Sequence, residues 1–221
     1  MPKHTDRHLT TIVFDFDGTL ARLNIDFADM RRRILDLIAR FNIPSDNLDN
    51  LFALEMVEAG RRNIAQVFPG NERNFVDQAY TLIRDIEMEG AMGGELFSGV
   101  EAMLKNLRDH QIKIGVVTRN CIEAVTHLYP EIQTTCDAVI TREATKNVKP
   151  HPEQLLIALT ALDTEPRAAA MVGDHPMDIT IGKDVGTFTI GVLTGYAHEA
   201  LLREAGADLI LEAATEVTEL V

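Results

Sequence analysis

Two aspartates separated by one residue, Asp15 and Asp17, follow directly on the β-branched, apolar run Thr11-Ile12-Val13-Phe14. On an extended strand, residues i and i+2 share a face, so the two carboxylates repel unless a proton or a divalent cation lies between them. Oxygen donors of this kind suit magnesium. In Asp15-Phe16-Asp17-Gly18-Thr19-Leu20, the glycine permits a sharp exit that leaves Asp15 exposed at the strand tip. The bland alternative is a turn with solvated aspartates, and the apolar strand before the pair weighs against it.

Three further groups have side chains suited to the same kind of chemistry. Val117-Thr118-Arg119-Asn120 closes one apolar run and opens a helical pattern, where a hydroxyl and backbone amides make an anion site or simply an N-cap. Lys149-Pro150-His151-Pro152 holds a lysine extended by the following proline, just before a helix, although a single lysine is ordinarily a solvated charge. Gly173-Asp174-His175-Pro176-Met177-Asp178 supplies two more carboxylates after an apolar strand, as a helix-capping loop or a metal site.

The elements that must carry these groups follow from hydrophobic periodicity. Residues 11–14 read as a buried strand. From about residue 26 to 89 the pattern turns helical: Ile34, Leu37, Ile38 and Phe41 fall at i, i+3, i+4 and i+7, and residues 48–59 and 75–86 are similarly amphipathic. Pro44 and Pro69-Gly70-Asn71 punctuate this block, which holds no convincing strand and reads as a small helical bundle inserted into another fold. After Gly90, Gly93 and Gly94 strands and helices alternate: helix 100–108, strand 112–118, helix 121–128, strand 138–141, helix 152–162, strand 168–173, helix 177–185, strand 188–192, helix 197–205, strand 209–210 and a short helical tail. Such alternation predicts an α/β fold, a parallel sheet covered by helices on both faces, with ligands at the carboxyl ends of the strands.

With 221 residues, 46% of them hydrophobic, the chain can build one well-buried core or a core with a modest accessory domain. No run reaches the roughly 18 consecutive apolar residues of a membrane helix, and the first ten residues carry His4, Asp6, Arg7 and His8, so no membrane partner and a cytoplasmic location are expected. A net charge of −13 argues against nucleic-acid partners while permitting a small anionic substrate, which needs only a few local donors. Cys121 and Cys136 lack metal-ligand spacing and are expected as free thiols.

Taken in order, D-x-D-G-T-L, a strand ending in Thr118, Lys149-Pro150 and G-D-x-x-x-D resemble the motifs of the haloacid dehalogenase superfamily, in its phosphoglycolate phosphatase-like branch, over nearly the whole chain. The resemblance implies a Rossmann-like catalytic core of residues 1–20 and 95–221 with an all-helical cap of residues 21–94. It implies a Mg2+-dependent phosphatase hydrolysing a small phosphorylated metabolite through an aspartyl-phosphate. Asp15 would be the nucleophile and Asp17 the acid and base. Thr118, with Gly18, Thr19, Arg119 and Asn120, would hold the substrate. Lys149 would neutralise developing charge. Asp15, Asp174 and the backbone carbonyl of Asp17 would bind the metal, and Asp178 would orient Lys149 or a metal-bound water. His175 stands where the family often has a small hydroxyl residue, and Gly182-Lys183-Asp184-Val185-Gly186 replaces a more usual alanine-rich turn.

Two other activities share these residues. A phosphomutase of the β-phosphoglucomutase type would use the same aspartates, and a non-catalytic regulator would keep the phosphate-binding fold as a switch. A dehalogenase leaves Asp17 and Lys149 without a task. Discrimination among esters is expected from the helical insertion, where Arg22, Arg31, Arg32, Arg33, Arg61 and Arg62 are candidates to read the substrate beyond its phosphate, each against the plainer reading of a solvated cation paired with an acid.

Overall fold

The computed structural model describes residues 8–43, 48 and 50–220. The polar N-terminal residues His4, Asp6 and Arg7, and Pro44, lie outside the described residues. The rest forms two compact units by contact: the described parts of Met1–Leu23 with Gly94–Val221, and Asn24–Gly93.

The first unit is built on a sheet of β1 (Thr11–Phe14), β4 (Lys113–Val117), β5 (Ala138–Ile140), β6 (Ala169–Gly173), β7 (Phe188–Val192) and β8 (Leu209–Leu211), in the order β5-β4-β1-β6-β7-β8. Every pairing in it is parallel, with Thr11 opposite Lys113 on one side and Ala169 on the other. Parallel strands are buried on both faces, and β1, β6 and β7 are buried at every residue. On one face Val13, Val117 and Met171 pack with Leu155 and Leu159 of α7 (Glu153–Ala161) and Ile181 of α8 (Pro176–Val185). On the other, α4 (Val100–Asp109) lies against β4 through its apolar stripe Val100, Met103, Leu104 and Leu107. The chain leaves β1 toward β4 and β5, then returns to β6 on the opposite side. The carboxyl ends of β1, β4 and β6 therefore flank a topological switch point, where such sheets bind ligands.

Several elements differ in detail from the sequence pattern. Thr118 and Thr141 fall outside their strands, and the tail is a 3-10 helix, Ala214–Leu220. Two short pieces carry no periodic signal: α6 (Ile132–Thr135) and the antiparallel pair β2 (Ala21–Arg22) and β3 (Glu95–Leu96). Two-residue strands and a four-residue helix span barely one period, so no repeat can be read from them. Helix α5 (Ile122–Leu128) is capped by Cys121, whose Sγ accepts the Ala124 amide, so neither Thr118 nor Asn120 is its N-cap. Cys121 and Cys136 are both free and buried.

The second unit consists of α1 (Phe27–Arg40), α2 (Ala53–Val67) and α3 (Glu72–Met92). Helix α1 starts at Asp26, whose Oδ1 accepts the Asp29 amide at 2.8 Å, and buries Met30, Ile34, Leu37 and Ile38. Their partners are Met56, Val57 and Ile64 of α2 and Phe75, Ala79, Ile83 and Ile86 of α3. Helix α2 begins at Ala53 rather than near residue 48. Leu48 and Leu51 pack on the same core from outside the helix, so their burial imitates the helical period without belonging to it.

The arginines expected to read substrate have local partners. Arg32 and Arg33 pair with Asp29, Arg31 donates to the Leu51 carbonyl, and Arg61 and Arg62 lie 2.7 and 3.9 Å from Glu58. Arg22 belongs to β2 in the first unit, 3.5 Å from Glu95 and 5.4 Å from the Phe97 ring centre. These are local contacts, and the ion pairs among them are exposed surface pairs.

Candidate active site

Asp15 follows the last residue of β1, its amide bonded to the Val172 carbonyl of β6 at 2.8 Å. The central strand thereby delivers a carboxylate into the switch point. Lys149 reaches it from the loop before α7. Its Nζ lies 2.5 Å from Asp15 Oδ1, 2.7 Å from Asp178 Oδ1 and 3.2 Å from the Val117 carbonyl. All three side chains are buried.

The backbone around Lys149 is held as firmly as its ammonium. Its amide donates to Gln154 Oε1 at 3.1 Å, Gln154 Nε2 donates to the Thr118 carbonyl at 2.7 Å, and Arg119 donates to the Lys149 carbonyl at 2.5 Å. Buried Gln154 thus ties the ends of β4 and the lysine loop together. Nothing in the sequence singles it out, because a glutamine in the first turn of a helix is ordinarily exposed.

Asp174 follows β6. Its Oδ1 accepts the Thr19 hydroxyl at 3.2 Å, and its Oδ2 accepts the Tyr196 amide at 2.6 Å. Gly18 has φ +89°, and a Cβ there would collide with the Asp174 carboxylate, so both the turn and the close approach require glycine. Asp178 holds Lys149 with one oxygen and accepts the His175 amide with the other at 3.1 Å, completing a capping box at the start of α8.

Other expected residues are placed differently. Thr118 is fully buried, its amide donates to the Ile140 carbonyl, and its hydroxyl donates to Asn120 Oδ1 at 2.8 Å while accepting the Asn120 amide at 3.1 Å. These bonds build a tight loop at the end of β4, with the Thr118 amide spent on the sheet. Asp17 is half-buried and accepts the Leu23 amide on Oδ1 at 2.8 Å. The carboxylates that converge are those of Asp15, Asp174 and Asp178, with one oxygen from each within 4.8 Å of the others. A groove of about 480 Å3 on the helical unit, lined by Arg33, Leu37, Arg40, Gln78, Thr81 and Leu82 among others, contains none of these groups.

Charge balance characterises the cluster. Burial pushes the Asp15 carboxyl up to about 8; Lys149 pulls it down, while Asp178 and Asp174 push it further up. Burial also raises Asp174 to about 6, with Asp178 adding to the rise and the Tyr196 amide opposing it. Burial pulls the Lys149 ammonium down, but the adjacent Asp15 and Asp178 outweigh it and raise it above the usual lysine value. Three buried carboxylates against one ammonium leave surplus negative charge on oxygen donors, which is the donor set a hard divalent cation takes.

A family model described as haloacid dehalogenase-like hydrolase matches residues 12–192. The N-acetylmuramic acid 6-phosphate phosphatase of Pseudomonas putida is 27% identical over 218 residues, covering 96% of each chain. The pyrophosphatase PpaX of Bacillus mycoides is 32% identical over 213 residues, 92% of this chain and 93% of that one. In fold, the crystal structure of a hydrolase from Pseudomonas syringae covers 95% of this chain and 96% of its own with a TM-score of 0.69 at 17% identity. A domain match that runs from β1 through β7 and takes in every residue of the acidic cluster assigns the chain: it is an enzyme that belongs to the haloacid dehalogenase-like hydrolase family.

Proposed function

We propose that the protein is a magnesium-dependent phosphatase that hydrolyses a small phosphate monoester through an aspartyl-phosphate on Asp15. The observation that carries this reading is the buried contact of Asp15 with Lys149 at the carboxyl end of the central strand, with Asp174 and Asp178 alongside. Relatives named as phosphatases of a sugar phosphate and of pyrophosphate support it.

Asp15, Asp174 and the Asp17 backbone carbonyl would hold the metal, which when bound offsets the negative charge gathered in the site and on the phosphoryl oxygens. A carboxylate oxygen of Asp15 forms a bond to phosphorus while the bond from phosphorus to the leaving oxygen breaks. Asp17 donates its proton to that leaving oxygen and becomes a carboxylate. A water then attacks the aspartyl-phosphate, Asp17 takes its proton, and the bond from phosphorus to Asp15 breaks to release phosphate and restore the enzyme. Lys149 faces the charge that develops on the phosphoryl oxygens and keeps Asp15 in place. Asp178 fixes Lys149 through its 2.7 Å contact. Thr118, Gly18, Thr19, Arg119 and Asn120 border the phosphoryl position in this reading, and the bonds between Thr118 and Asn120 shape the loop after β4 that carries Arg119.

The test is release of inorganic phosphate from phenyl phosphate by the full chain with magnesium. Steady turnover that Asp15→Asn eliminates is the expected result, and absence of phosphate release from a panel of phosphate esters would overturn the reading.

A further inference from the structure

The acidic cluster addresses a phosphoryl group and is silent on the leaving group. Beside it lies a feature that the mechanism does not use. The loop after β7 folds onto the cluster: the Thr194 hydroxyl donates to the Gly18 carbonyl at 2.6 Å, the Tyr196 amide to Asp174 Oδ2 at 2.6 Å, and the Ala197 amide to the Asp174 carbonyl at 3.1 Å. A Cβ on Gly195 would collide with the Asp174 carboxylate, so the loop sits at closest approach. The backbone of Tyr196 is therefore fixed one hydrogen bond from an acid whose oxygen lies within 4.8 Å of that of Asp15.

Tyr196 as a residue, in contrast, is 68% exposed, more than any other large hydrophobic residue among the described residues. One side of its ring rests on the ring of His175, with centroids 4.4 Å apart and planes tilted by 32°. His175 is itself pinned, because its Nδ1 accepts the Met177 amide at 3.1 Å and its own amide donates to Asp178. It cannot swing away without uncapping α8. A solvated loop tip is served by a small polar residue, whereas an aromatic ring with an anchored backbone and a backed face is prepared to stack on a flat partner at little further cost in entropy.

We propose that Tyr196, backed by His175, is a platform for the leaving group, selecting phosphate esters whose leaving group presents a flat apolar ring face over acyclic ones. A pyranose and an aryl ring share that chemistry. The proposal rests on the phosphatase reading above and names the substrate class of the same site.

The experiment compares kcat/KM of the full chain with magnesium on glucose 6-phosphate, phenyl phosphate and glycerol phosphate, for the native protein, Tyr196→Phe, Tyr196→Leu and His175→Asn. The readout is the ratio of each ring ester to glycerol phosphate. In Tyr196→Leu it falls about three- to tenfold, the worth of one stacking contact, chiefly through a higher KM. In Tyr196→Phe, which keeps the ring, it stays within about twofold. His175→Asn retains a side-chain acceptor for the α8 cap but removes the backing ring, and gives a smaller fall in the same direction. A fall for one ring ester alone identifies which ring source the platform serves. A ratio unchanged in Tyr196→Leu overturns the platform even where absolute rates drop, and leaves the phosphatase reading standing. A native protein that releases phosphate from none of the three overturns the phosphatase reading, and the platform falls with it.

Discussion

Lys149 and Asp178 meet in the interior, Nζ to Oδ1 at 2.7 Å, with 3% and 1% of their surfaces exposed. The same ammonium reaches Asp15 at 2.5 Å. One lysine thus joins the residue at the tip of the central strand to the residue that caps α8, and its charge is what lets two carboxylates lie there together.

Removing that charge should therefore destabilise the fold as well as stop the reaction. Breaking a buried ion pair by deleting one partner costs about 3–5 kcal/mol. Lys149→Met is expected to lose stability of that order in urea denaturation at neutral pH and to lose turnover by about a hundredfold or more. A variant as stable as the native protein would mean that the lysine does not hold the acids together.

Asp15→Asn should behave in the opposite sense. It is isosteric and cannot act as the nucleophile, so turnover is expected to fall by at least about a thousandfold with the circular dichroism spectrum unchanged. Residual activity near the native level would remove Asp15 from its role.

The pH dependence of stability follows from the same residue. A carboxyl with a folded pKa above its unfolded value binds more protons when folded, so stability declines as pH rises between the two values. For Asp15 that window runs from 3.8 to about 8, and for Asp174 from 3.8 to about 6. In excess chelator, Asp15→Asn should match the native protein near the lower end and exceed it at the upper end, by on the order of 1 kcal/mol or more. Parallel stability curves for the two proteins would show that Asp15 carries no such charge strain.

Magnesium should relieve the same crowding. Phosphate release is expected to stop in excess chelator and to return when magnesium is restored. A ligand that binds only the folded state stabilises by about 2.7 kcal/mol at a hundred times its Kd, so the melting temperature should rise with magnesium in the native protein. Full turnover in chelator would exclude a metal requirement.

Gly18→Ala tests the geometry of the turn. The substitution forces a Cβ into a backbone at φ +89° and into the Asp174 carboxylate. A cost of about 1–3 kcal/mol is expected, together with a fall in turnover as Asp174 is displaced. Native stability and rate in this variant would mean that the turn relaxes freely.

Much of the core is legible in the amino-acid pattern. β1, β6 and β7 are continuous apolar runs because strands of a parallel sheet are covered on both faces, and each ends at a recognisable polar group or turn. Long amphipathic helices are equally plain, as in α3, where Phe75, Ala79, Ile83 and Ile86 recur at the helical period. Legibility fails where a core residue lies outside a regular element, as with buried Leu48 and partly buried Leu51, and where side chains spend their polar atoms on each other, as with Thr118 and Asn120.

By itself the sequence determined which residues could do chemistry and on which strand ends they stand, since hydrophobic period and local turn chemistry act between near neighbours. Only tertiary structure decided which of them meet. Lys149 lies 134 positions from Asp15, and Tyr196 lies 22 from Asp174, and no local rule relates them. The order of strands brings β1 between β4 and β6, and that crossing sets a lysine from one loop and an acid from another against the Asp15 carboxylate. Their burial then determines the charge balance, because the cost of a buried carboxylate depends on what surrounds it in space.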